Sequence, residues 1–185
     1  MDVLVVAPVR EELGQLEGDV VGVGPIVSAI GATTLLQLHH PRRVVLVGTA
    51  GTYPGGPRVG SVIVSRRMGL SHGVAVMGLG YVPRAPEDID GDPALIAALG
   101  LPAHDVLTVG AITTDPALTR RLADGWSVEH METFSVALAC RRAGVPFVAV
   151  LGIANEVGPD AHVQWLTHRD DAQEAARLAL LPLTS

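Results

Sequence analysis

Short aliphatic runs that alternate with amphipathic stretches predict an α/β protein built on a largely parallel sheet. Two observations carry this prediction. The runs Asp2–Ala7, Arg43–Gly48 and Pro146–Ile153 are continuous in Val, Leu, Ile and Ala, as strands covered on both faces read. Aromatic residues make up only 3% of the chain, so the same small aliphatic side chains must fill the core. A length of 185 residues suffices for one such core. With no internal repeat or linker, residues 1–185 read as a single domain.

The elements follow in order. The run Asp2–Ala7 is a buried strand that stops at Pro8, and Val9–Gly14 starts a helix. Acidic Glu11 and Glu12 then have two readings, as complements to the helix dipole or as carboxylates at the mouth of the first strand. Val20–Gly24 leads through Pro25 into a helix over Ile26 to about His40. Arg43–Gly48 is the clearest strand, followed by Thr49–Thr52 as a loop of small residues. Tyr53–Arg58 is a Pro/Gly loop, Gly60–Ser65 a strand, and Val74–Met77 a candidate short strand, so residues 60–77 are where antiparallel pairing enters. Pro83–Pro93 reads as a surface loop and Ala94–Leu99 as a short helix. Val106–Thr113 is a strand leading into a second Thr-rich loop, and Pro116 opens a helix to Ala123. A β-like run from Ser127 then passes into a helix ending at Ala143, with Glu132 in its first turn. Pro146–Ile153 is the last strand, Ala154–Glu156 its polar end, and Gln164–Leu181 a closing amphipathic helix.

Several function classes are disfavoured at once. Net charge is -6 and the 13 basic residues are all Arg with no stripe among them, which argues against nucleic-acid binding. No apolar stretch approaches the ~20 residues of a membrane span, and the chain opens on a strand without a signal-peptide pattern. A cytoplasmic protein is expected. The lone Cys140 shares a helix face with Val136 and Ala137 and suits a core position rather than a nucleophile. Gly22-Val-Gly24 lacks the third glycine of a dinucleotide loop, since position 27 is Val27. Neither a P-loop lysine nor a G-x-S-x-G elbow occurs. The seven His are scattered, so no metal and no cofactor is expected.

Polar residues nevertheless collect at the predicted carboxyl ends of the strands, where α/β folds bind ligands. They are Glu12, Thr49, Thr113, Glu132 and Asn155, mixed with Gly24, Ile112, Met131 and Phe134. A mostly apolar pocket with a few placed polar groups is the usual anatomy of a small-molecule site.

Five segments stand in the order found in the purine nucleoside phosphorylase/nucleosidase superfamily. These are Glu11-Glu12, Gly22-Val-Gly24, Gly48-Thr-Ala-Gly51, Val128-Glu-His-Met-Glu132, and Val145-Pro-Phe-Val running on to Ile153-Ala-Asn155. The chain resembles the nucleosidase branch, typified by methylthioadenosine/S-adenosylhomocysteine nucleosidase, over nearly its whole length. Ile153-Ala-Asn155-Glu-Val-Gly-Pro159, with Trp165 beyond, is similar to futalosine hydrolase. The resemblance implies a three-layer α/β/α fold with a central mixed, largely parallel sheet. It implies Glu12 as the base for the attacking water and Glu132, beside Met131, as acceptor of the ribose 2′- and 3′-hydroxyls. Thr49 would lie near the nucleophile and Ile112 and Thr113 at the base, with Gly51 and Phe134 among the substrate-binding residues. Asn155 stands where adenine-specific nucleosidases have an Asp that protonates N7. An amide cannot deliver a proton but offers a donor and an acceptor, which suits the carbonyl edge of hypoxanthine. The expected substrate is therefore a purine nucleoside carrying hypoxanthine, such as futalosine. Alternatives are methylthioadenosine/S-adenosylhomocysteine hydrolysis, phosphorolysis, or nucleoside binding without turnover. Water is preferred over phosphate because no cationic group beyond Arg10 lies near a predicted strand end. Such relatives are dimeric or hexameric, so a homodimer or higher homo-oligomer is expected, with the apolar Ile26–Leu38 helix as either interface or core.

Overall fold

Successive residues of a strand face opposite sides of its sheet, and here both sides are covered. In the computed structural model, which describes residues 2–184, three central strands make this visible: β1 (Val3–Ala7), β3 (Arg43–Thr52) and β8 (Phe147–Glu156). Leu4, Val6, Val44, Leu46, Ala149 and Leu151 enter one core. There they meet Ala32 and Leu36 of α2 (Pro25–His39) and Phe134, Ala137 and Cys140 of α6 (Thr133–Ala143). The intervening Val5, Ala7, Val45, Val47, Val148 and Val150 enter the other. Their partners are Leu13 of α1 (Arg10–Leu13), Leu95 and Leu99 of α4 (Pro93–Leu99), and Ala176 of α7 (Ala161–Leu178). The result is helix, sheet, helix. Cys140 lies wholly inside, where burial pushes its thiol up to about 12, so it is no nucleophile.

The sheet runs β2 (Asp19–Val20), β1, β3, β7 (Val128–His130), β6 (Ala103–Thr108), β4 (Val62–Leu70), β5 (Ile89–Asp90), and β8 bonds to both β3 and β4. Strands β3, β7, β6, β4 and β8 thus close a ring. Antiparallel pairing is confined to β3–β7, β4–β5 and β4–β8, so the sheet is mixed and largely parallel. Two of these antiparallel pairs involve β4, within the predicted region.

Four sequence expectations are corrected. Thr49–Thr52 is not a loop: β3 continues through it beside Gly152–Glu156 of β8, with a register shift between Ala50 and Gly51. Val74–Met77 is not a strand, because the chain closes on itself in the turn of helix α3 (Gly73–Val76), the Met77 N–H donating to the Gly73 carbonyl. β6 stops at Thr108, leaving Thr113 well beyond it. Glu132 is the residue that precedes α6 rather than one of its first turn. The exposed Ile26, Val27, Ile30 and Leu38 show that this row of α2 is not core. Two further helices complete the chain, α5 (Pro116–Leu122) and α8 (Leu181–Thr184).

Helix α7 lies against β8 at Gly152, where a methyl group would collide with the main-chain carbonyl of Ala172. A Gly152→Ala substitution is expected to cost about 1–3 kcal/mol through overpacking, lowering Tm in thermal unfolding by several degrees. Unchanged melting would mean that α7 does not depend on this close approach.

Candidate active site

One cavity of about 490 Å³ opens at the carboxyl ends of β1, β3 and β8. Its walls carry Glu12, Thr49, Gly51, Ile112, Met131, Glu132 and Asn155, which the sequence had scattered over 144 positions. Three residues expected in the pocket are not on its wall: Gly24, whose N–H is turned to Glu132, Phe134 and Thr113. Phe134 packs in the core under α6, its N–H donating to the Thr108 hydroxyl (2.8 Å). Thr113 is buried behind the wall, with its N–H donating to Glu129 Oε1 (3.0 Å). Phe134 turns inward because it shares the core face of α6 with Ala137, three residues on.

Glu12 comes from α1, the four-residue helix that follows β1. Its Oε1 accepts from the Thr49 N–H (2.9 Å) and from the Thr49 hydroxyl (3.1 Å). That hydroxyl accepts in turn from Trp165 Nε1 of α7 (3.0 Å). Burial raises the Glu12 carboxyl from an ordinary 4.5 to about 7; the Thr49 bonds oppose the rise and the nearby Glu132 and Glu11 charges add to it. The dipole role fits Glu11, which is exposed, better than Glu12, which is turned into the molecule.

Glu132 is also buried. Its Oε1 accepts from the Gly24 N–H at 2.8 Å. Gly24 has φ 85°, a left-handed conformation that L side chains rarely adopt. The Gly22–Gly24 turn thus presents one backbone N–H to this carboxylate. Asn155, near the end of β8, donates through Nδ2 to the Glu156 carbonyl (3.0 Å), leaving one amide hydrogen and Oδ1 for other partners. Gly51 is what admits it, since a Cβ there would lie 2.8 Å from Asn155 Nδ2.

Sequence reasoning passed over several wall residues. Glu129, two residues before Met131, accepts from Thr113 N–H and from the Tyr53 hydroxyl (2.9 Å), and burial raises its carboxyl. Arg169 of α7 lies 5.0 Å over the Trp165 ring and 3.4 Å from Asp170. It is the cation of the cavity wall, already paired with an acid and not gathered with other cations into a phosphate clamp. His130 also lines the wall. Arg169 stands four residues after Trp165, already singled out, and that spacing on one helix face held a signal for it.

Glu12 is a group whose carboxyl rises on folding, so its contribution to stability is complete below 4.5 and is lost as pH rises through about 7. Glu12→Gln keeps an acceptor for Thr49 and removes the charge. Its gain over the parent chain at pH 8 is expected to be roughly 3 kcal/mol, shrinking to under about 1 kcal/mol at pH 5. Denaturant unfolding at the two pH values measures this; an equal effect at both would place Glu12 in water.

The chain matches the Phosphorylase superfamily over residues 14–181. It is 30% identical over 159 residues to the 5′-methylthioadenosine/S-adenosylhomocysteine nucleosidase of Halalkalibacterium halodurans, covering 78% of this chain and 69% of that one. To the futalosine hydrolase of Thermus thermophilus it is 30% identical over 161 residues, covering 79% and 72%. Among solved structures, futalosine hydrolase of Helicobacter pylori superposes with a TM-score of 0.85 at 15% identity, covering 99% of this chain and 97% of that one, a likeness of fold. With the family matched over most of its length and its fold shared with these proteins, the chain belongs to the phosphorylase superfamily.

Proposed function

We propose that this protein hydrolyses the N-glycosidic bond of a purine nucleoside, with water as nucleophile. The observation that carries the reading is a pair of buried carboxylates, Glu12 and Glu132, on one cavity wall and held by different partners. Glycosidic cleavage passes through an oxocarbenium-like sugar, which needs negative charge nearby and a base for water. In this scheme the water oxygen bonds to C1′, the C1′–N9 bond breaks, and its electron pair leaves with the purine, which takes a proton from solvent. Glu12 receives the water's proton, and a carboxyl near 7 suits a base working at neutral pH. Glu132 keeps lone pairs free beyond the one bonded to Gly24 N–H, enough for a ribose diol.

The finer substrate assignment rests on Asn155. Its remaining amide hydrogen suits the C6 carbonyl of hypoxanthine, so a hypoxanthine nucleoside such as futalosine is the preferred substrate, and menaquinone synthesis its setting. Relatives at 30% identity include nucleosidases named for methylthioadenosine and S-adenosylhomocysteine, which supports adenine nucleosides as the second reading. That reading requires a proton donor for N7 other than Asn155.

Base release from inosine, futalosine and methylthioadenosine, each with and without phosphate, tests the proposal. Hypoxanthine is expected from futalosine without phosphate, with kcat/KM falling as pH drops below about 7, where Glu12 gains its proton. Glu12→Gln should lose on the order of 10²-fold or more. No base from any nucleoside would overturn the assignment. Asn155→Asp is expected to move preference towards the adenine nucleoside; an unchanged order of substrates would remove Asn155 from base recognition.

A further inference from the structure

His130 ends β7 and is almost fully buried, yet it borders the cavity between the two carboxylates. Its Nδ1 accepts from the Glu132 backbone N–H at 3.2 Å, and the Thr133 hydroxyl lies 2.9 Å from the same atom. A main-chain amide can only donate, so this nitrogen carries a lone pair and the ring proton sits on Nε2. Burial pushes the imidazole pKa below its ordinary value although the Glu132 charge pulls the other way, so the ring is neutral at pH 7. Glu132 Oε2 stands 3.3 Å from Nδ1 and would draw a proton there; the opposing donors are the amide and the hydroxyl.

The far side of the ring faces Gly48. A Cβ at Gly48 would lie 3.1 Å from His130 Nε2 and 3.4 Å from Glu12 Oε1. The imidazole N–H and the Glu12 carboxylate therefore converge over a residue that has no side chain to separate them. Such a pair, one donor and one acceptor, is what a water molecule needs to be held with a lone pair free to attack.

Resting on the nucleosidase reading above, we propose that His130 is a catalytic residue that donates from Nε2–H to the oxygen of the attacking water, while Glu12 accepts the water's proton. The ring is kept in this tautomer by the amide of Glu132, the residue assigned to the ribose. One imidazole thus joins the sugar-binding and the water-binding carboxylates.

The experiment combines a wild-type measurement with two variants. Selective 15N labelling of histidine in the full chain reads the His130 tautomer by NMR, and protonated Nε2 with bare Nδ1 is expected. A protonated Nδ1 overturns the proposal, whatever the variants do. His130→Asn leaves an oxygen near the Nδ1 position to accept from Glu132 N–H but no donor over Gly48. It should lose on the order of 10²-fold in kcat with KM little changed. His130→Gln carries an amide N–H that reaches the Nε2 position and should recover about tenfold or more of that loss. Equal loss in both variants, or wild-type kcat in His130→Asn, overturns the assignment. A wild-type chain that releases no base from any nucleoside, with the expected tautomer present, removes the nucleosidase reading and this role with it.

Discussion

The cavity depends on keeping the Glu12 carboxylate inside the protein with, among the described residues, only Thr49 to hold it. Removing a charge from water without a matching opposite charge is costly, and no arginine or lysine reaches this group among the described residues. What offsets part of the cost is a pair of bonds from a single residue, the Thr49 amide and hydroxyl, with Trp165 behind the hydroxyl. Thr49 can do this because it belongs to a strand. As part of β3 its amide direction is fixed by the ladder to β8, so the donors stand ready before any ligand arrives. A neutral environment for a carboxylate is also what brings its proton affinity near physiological pH. The same burial that weakens the fold gives the group its chemical use.

The remaining wall follows from that strand. The register shift after Ala50 brings Gly51 beside Asn155, and β8 ends its ladder where the cavity begins. Helix α7 closes the opposite side and reaches β8 only because Gly152 lets its main chain come close. On the far side of the sheet α2 and α6 pack together, so the Gly24 amide at the start of one helix meets the carboxylate just before the other.

Much of this was legible in the sequence. Continuous aliphatic runs located the central strands, and polar residues at their ends located Glu12, Thr49, Glu132 and Asn155. Met131 and Glu132 both line the cavity, though Glu132 stands one residue before α6 rather than in its first turn. What was not legible depended on pairing partners distant in sequence. Thr49–Thr52 has the composition of a loop, and only the β8 backbone beside it makes it a strand. Thr113 lies beyond the end of β6, where a loop path rather than a period decides which way a residue faces. His130 was counted only among the scattered histidines; what its Nε2 side meets is Gly48 of a strand distant in sequence, which leaves no mark in residue chemistry.

The ring of strands also governs how the chain can be divided. β7 bridges β3 and β6 with only Val128–His130, and its bonds to β3 fall at Glu129–Gly51 and Val128–Thr52. A fragment ending before residue 128 would leave both neighbours with bare edges, and β8 would be missing from the other side. Exposed edges of aliphatic strands recruit other chains. Residues 2–127 therefore hold strands whose partners come from residues 128–156, and until those are made the edges of β3, β4 and β6 stand open.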